Sequence, residues 1–216
     1  MTNALDDYLD DLPLIAILRG ITPEDCEAVT EVLFAAGFRM VEVPLNSPKA
    51  LRSIERIAHQ FGDGMLVGAG TVLTPDQVRQ VHENGGRLIV APNTHLPVIQ
   101  AGVEAGMITI PGAATPTEAF AGIHAGASAV KVFPAEAIGP QVLASWRAVI
   151  PDTVPLLPVG GIDSHNMADY WQAGAAGFGL GSALYKPGKS LGDISASATK
   201  LVWSATSLTK TMQGAN

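Results

Sequence analysis

Residues 107–120 read MITIPGAATPTEAF: a short β-branched run, a small-residue break, then Thr-Pro-Thr-Glu at the start of an apolar segment. The run suits a strand. Thr115 followed by Pro116 has the form of a helix N-cap with a first-turn proline, and Glu118, three residues after the cap, reaches back to the cap's own N–H. Just upstream, EAGM (residues 104–107) places a glycine where a preceding helix would end in a left-handed residue. Helix end, strand and helix start follow one another with no linker between them.

The same unit recurs in both directions along the chain. Strand-like runs appear as LIAILRG, MVEVPLN, MLVGAGTVL, RLIVAP, MITIPGAAT, SAVKVFPAE, PLLPVGG and GFGLGSAL, eight in all. Thr22-Pro23, Ser47-Pro48 and Thr74-Pro75 repeat the cap signal, TPDQ (74–77) forms a second capping box, and AAGF, HQFGDG and ENGG repeat the glycine stop. Strand then helix, eight times in 216 residues, predicts the α/β class and a (β/α)8 TIM barrel. An open doubly wound sheet is the rival, but no G-x-G-x-x-G opens the first helix and GAGTVL lacks that spacing. No low-complexity tract divides the chain. A single domain over residues 1–216 is expected, with a short N-terminal extension, in which YLDDLP forms a solvated cap, and a tail fraying from about residue 208.

Composition narrows the function. A formal charge of −7 and a pI near 5.1 argue against a nucleic-acid surface, which needs clustered Lys and Arg. The single Cys26 allows no internal disulfide and reads as a packed small hydrophobe. His59, His82, His95, His124 and His165 share no ligand spacing, so no metal is expected. The acidic start MTNALDDYLDDLP does not resemble a signal peptide and no apolar stretch is of bilayer-spanning length, which points to the cytoplasm and away from membranes.

Against that background, two charges fall where a barrel should be apolar and a third falls at its mouth. Alternate strand residues face the interior. In SAVKVF, Val130 and Val132 suit the sheet–helix interface, which turns Ala129, Lys131 and Phe133 inward. The same parity in MVEVP turns Glu42 inward, and Arg19 closes LIAILRG at the strand's C-terminal mouth, where catalytic groups of such barrels cluster. Lys131 and Glu42 read either as a buried structural ion pair or as chemistry; Gly68 and Gly70 favour the second by leaving room for a ligand. An unprotonated lysine attacks a carbonyl, the iminium withdraws electrons from the neighbouring carbon, and a carboxylate moves the hydroxyl proton. Burial lowers the lysine's pKa while an ionised Glu42 raises it, and sequence leaves that balance open.

After the seventh run stand Gly160-Gly161 and after the eighth Gly181-Ser182, the two loops that commonly hold phosphate in these barrels. An acidic chain can hold an anion there through backbone N–H groups and Arg19.

The order ILRGI, VEVPLNSP, VGAGTVL, APN, PGAATPTEAF, VKVFPAE, VGGI and GLGSALY resembles the class I 2-keto-3-deoxy-6-phosphogluconate and 2-keto-3-deoxy-6-phosphogalactonate aldolases over roughly residues 12–205. The resemblance implies cofactor-free cleavage of a phosphorylated keto-deoxy sugar acid to pyruvate and glyceraldehyde 3-phosphate by a homotrimer. Lys131 matches the Schiff-base lysine and Glu42 the acid/base acting through water. Arg19 and Thr71 match carboxylate-side groups, Pro92 and Phe133 line the pocket, and Gly161, Gly181 and Ser182 take the phosphate. Val159 before Gly160, and Asn46 in the strand-two loop, resemble the phosphogalactonate branch. A phosphogluconate preference, a phosphosugar epimerase or isomerase, and a non-catalytic phosphosugar binder are the alternatives.

Overall fold

The structure, a computed structural model, describes residues 5–213. Helix α1 (Asp6–Asp11) precedes β1 (Leu14–Ile17), after which come α2 (Cys26–Ala35), β2 (Met40–Pro44), α3 (Ala50–Phe61), β3 (Leu66–Gly70), α4 (Pro75–Glu83), β4 (Leu88–Val90) and α5 (Leu96–Glu104). The chain continues through β5 (Ile108–Ile110), β6 (Gly112–Ala113), α6 (Pro116–His124), β7 (Val130–Val132), α7 (Ala135–Arg147), β8 (Leu156–Pro158), α8 (Met167–Gln172), β9 (Phe178–Leu180) and α9 (Leu191–Gln213). Every strand pairing is parallel, in the orders β5-β4-β3-β2-β1-β9 and β6-β7-β8. The result is an α/β fold on a curled parallel sheet.

Nine strand segments replace the eight expected because the fifth run is broken at Pro111. A proline has no N–H for the ladder. Ile110 lends its carbonyl to Ala91 of the β4 end, and Pro111 lends its own to Lys131 of β7, so one run serves both sheets. At the other seam, a single bridge between Val159 and Gly179 joins β8 to β9.

The alternation of side chains divides the core as parity demands. Leu14, Ala16, Val41, Val43, Val67, Ile89, Val130, Val132 and Phe178 face the helices. Ile15, Met40, Leu66, Leu88, Val90, Ile108, Ile110, Ala129 and Leu157 form a separate inner cluster, completed from below by Leu5 and by Leu9 of α1. The N-terminal segment is therefore more than a solvated cap: its carboxylates Asp10 and Asp11 stay exposed while its leucines close the base of the sheet.

Helix starts match the sequence reading at two of four places. Thr74 caps α4 in a full capping box with Gln77, and the Thr115 hydroxyl accepts the Glu118 N–H at the start of α6. Thr22 instead bonds Asp25 within a turn, and α2 begins only at Cys26. The Ser47 hydroxyl oxygen accepts the Gly20 N–H of the neighbouring loop, which leaves α3 to start after Lys49 in a left-handed conformation with no side-chain cap. Helix α9 continues through residues 208–213 of the stretch expected to fray; residues 214–216 lie outside the described residues.

Candidate active site

Lys131 is the central residue of β7, flanked in register by Gly112 and Leu157. It is 5 % exposed, and Glu42 of β2 is 1 % exposed. Both side chains line an apolar inner space with Ile15, Ile17, Val90, Ile110, Leu157, Val159 and Gly179. Above it opens a cavity of about 150 Å³, walled by Arg19, Lys131, Phe133, Val159, Gly160, Gly161, Gly181 and Ser182 together with Ile17, Ile162 and Gly179. Thr71 follows the last residue of β3 and Pro92 lies two residues beyond β4, at the C-terminal end of the sheet, and neither is part of that wall. Thr71 has a left-handed backbone, φ 57°, a strained conformation for a β-branched residue.

Among the described residues, no ion pair joins Lys131 to Glu42, so the structural pair weighed from sequence is absent. The Lys131 ammonium nitrogen lies 4.6 Å from the centre of the Phe133 ring, and Glu42 Oε2 is buried with no hydrogen-bond partner. Burial is the largest influence on both groups. It pushes Glu42 up to about 7, against the pull of Lys131, then Arg19, then the Gly70 backbone N–H. It pushes Lys131 down, with Glu42 opposing and Arg19 reinforcing the shift. A desolvated amine that holds its proton less tightly than usual and a carboxyl that titrates near neutrality are suited to act as nucleophile and acid/base in one enclosure.

Two glycines are present for a different reason from the one the sequence suggested. A methyl on Gly68 would stand 2.0 Å from the Leu88 carbonyl oxygen, so Gly68 permits close strand approach. One on Gly70 would stand 2.0 Å from Glu42 Oε2, so Gly70 is the bed of the carboxyl. Neither makes room for a ligand. At Gly181 nothing lies within 4 Å, and the open space of the mouth is there.

The chain matches the family described as KDPG and KHG aldolase over residues 5–195. It belongs to that family. It is 50% identical over 182 residues, 84% of this chain and 86% of the relative, to a probable 2-dehydro-3-deoxy-6-phosphogalactonate aldolase of Rhizobium meliloti (strain 1021). It is 49% identical over 180 residues, 83% and 88% of the two chains, to a 2-dehydro-3-deoxy-6-phosphogalactonate aldolase of Escherichia coli (strain K12). A KHG/KDPG aldolase of the same organism is 33% identical over 158 residues, 73% and 74% of the two chains. Among solved structures, a native KDPGal structure superposes with a TM-score of 0.91 at 46% identity, covering 92% of this chain and 97% of that one.

The protein is thus an aldolase, a lyase of carbohydrate chemistry. Among its described residues no group of three or more His, Cys, Asp or Glu side chains is placed to hold a metal ion, and no helix is long and apolar enough to cross a membrane. Sequence reasoning did not include Ile17, Ile162 and Gly179 in the cavity wall. Gly179 was open to detection, since parity in GFGL turns it inward, where a methyl would stand 2.7 Å from Val159 Cγ2. Nor did it give Asn46 a place in the aldolase site, although Asn46 Oδ1 accepts a 2.7 Å hydrogen bond from Arg19.

Proposed function

We propose that the aldolase cleaves 2-dehydro-3-deoxy-6-phosphogalactonate to pyruvate and D-glyceraldehyde 3-phosphate through an imine on Lys131. The observation that carries the reading is the enclosure of a desolvated amine with a buried, half-unpartnered carboxyl. The neutral Lys131 nitrogen adds to the C2 carbonyl, and loss of water gives the iminium. Glu42, acting through a water molecule, takes the C4 hydroxyl proton. The C3–C4 bonding pair moves toward the iminium, releasing the aldehyde and leaving an enamine. Protonation at C3 and hydrolysis of the iminium return pyruvate and the free amine.

Charge and shape support the placement of the substrate's ends. Arg19, with Thr71 beside the mouth, is assigned to the carboxylate, Pro92 and Phe133 to the carbon chain, and the N–H groups of Gly160, Gly161, Gly181 and Ser182 to the phosphate. Val159 is assigned to C4: its methyls offer no hydrogen bond, which favours the phosphogalactonate epimer, and relatives carrying that name are more similar than those named for phosphogluconate. The curled sheet is read as a closed (β/α)8 barrel whose seams are Pro111 and the Val159–Gly179 bridge, in a single domain. A cytoplasmic homotrimer is the assembly this reading carries.

Borohydride reduction in the presence of pyruvate tests the imine. The expected product carries a three-carbon adduct on Lys131 and has lost activity; an unmodified, fully active protein overturns the reading. Side-by-side cleavage of the two C4 epimers tests the substrate, with the phosphogalactonate expected to have the higher kcat/KM. Val159→Thr is expected to move the ratio toward the phosphogluconate by about fivefold, the worth of one hydrogen bond; equal rates before and after sink the assignment of Val159.

A further inference from the structure

The loop after β2 fastens the loop after β1 at two adjacent points. Asn46 Oδ1 accepts from an Arg19 guanidinium nitrogen at 2.7 Å, and Ser47 Oγ accepts the Gly20 N–H at 2.9 Å. The second bond is sheltered, because Ser47 is 7 % exposed. Gly20 holds φ 82°, and a methyl there would stand 2.8 Å from Pro187 Cγ, so the pivot under Arg19 is fixed from both sides. The arginine side chain itself is exposed. An unrestrained arginine samples many rotamers and gives much of that freedom up only against a well-placed partner. In the structure that partner is Asn46. Arg19 and Lys131 are the two cationic side chains in the cavity wall, and Arg19 bears electrostatically on both buried groups.

We propose that Asn46 is a positioning residue of this aldolase: with Ser47 it clasps the Arg19–Gly20 turn and holds the guanidinium over the mouth, facing the keto acid's carboxylate and the Lys131 amine. The proposal rests on the imine chemistry proposed above. Its physical content is a distance. A guanidinium held near the amine disfavours the ammonium form and stabilises an incoming carboxylate, and one released into solvent does neither well. The charged groups that bear on Lys131 are Glu42 from β2 and Arg19 from the loop after β1, while its strand neighbours Gly112 and Leu157 carry no charge.

The test uses the rate of borohydride trapping of pyruvate on Lys131, followed by intact mass against pyruvate concentration and pH, in the full-length protein, Asn46→Ala, Arg19→Ala and the double variant. Asn46→Ala is expected to raise the half-saturating pyruvate concentration about tenfold, the scale of one charge-assisted hydrogen bond. The acid limb of trapping is expected to move up by about half a pH unit, as one charge drawing back a few ångströms would produce. The double variant is expected to be no worse than Arg19→Ala, because Asn46 acts through that residue. The melting temperature of Asn46→Ala is expected to match the parent's. A variant whose trapping matches the parent in both concentration and pH overturns the clasp and leaves the imine standing. So do losses that multiply in the double variant. No trapping in the parent removes the imine and the clasp together.

Discussion

Glu42 and Gly70 act as one unit, since the carboxyl rests where a Gly70 side chain would have to be. Gly70→Ala is therefore expected to displace the carboxyl, lowering kcat by at least an order of magnitude and stability by about 1–3 kcal/mol, the usual range for overpacking. Chemical denaturation with steady-state cleavage checks both; an active, fully stable variant contradicts the packing. Glu42→Gln keeps the shape and removes the base. It is expected to reduce cleavage by about 10²–10⁴-fold while pyruvate is still trapped on Lys131, because imine formation depends on the amine and bond cleavage on the proton acceptor. The inward placement of both residues was legible from strand parity alone. Their separation and the dominance of burial over mutual attraction were not, because those depend on distances between β2 and β7, which are neighbours in neither sequence nor sheet.

The helix starts show where local chemistry stops deciding. Four Ser/Thr-Pro pairs look alike in sequence, yet only Thr74 and Thr115 cap a helix with their hydroxyls. Ser47 differs because a stronger claim on its oxygen, the Gly20 N–H, comes from another loop. Thr74→Ala is expected to destabilise the protein by about 1 kcal/mol, as loss of an N-cap does, and Thr22→Ala by clearly less. Equal losses in urea unfolding would show that Thr22 caps α2 after all. In the same way, MITIPG was readable as a strand, but its division at Pro111 depends on β7 taking the proline carbonyl on one side and the β4 end taking Ile110 on the other.

At the scale of the whole molecule, the base and mouth of the sheet are separable. Leu5 is fully buried in the inner cluster at the base. Leu5→Ala is expected to lower stability by about 2–5 kcal/mol through the cavity it leaves, with kcat/KM at 25 °C essentially unchanged; a selective loss of activity in a stable variant would tie the base to the mouth. Stability should also fall as pH rises, on account of Glu42. Its folded pKa near 7 lies above the ordinary 4.5, so the folded state binds the proton more tightly. The resulting penalty is absent below about pH 4.5, grows as pH rises through that value, and is complete above about pH 7, reaching on the order of 3 kcal/mol. Glu42→Gln is expected to flatten that slope in denaturation series run from pH 4.5 to 8, and an unchanged slope assigns the effect elsewhere.

What the sequence determined by itself is whatever follows from backbone periodicity and near neighbours: the strand–helix alternation, the inward face of each strand, and hence Lys131 and Glu42 inside and Arg19 at the mouth. Only the tertiary structure decided that the amine and the carboxyl stay unpaired, that Gly68 and Gly70 serve strand approach and carboxyl seating, that the leucines of the N-terminal segment close the base, and that Asn46 holds Arg19. Side-chain alternation is a property of each strand alone. Desolvation, clashes and hydrogen-bond competition are set by whichever distant segments the fold brings within a few ångströms, and no local pattern records those.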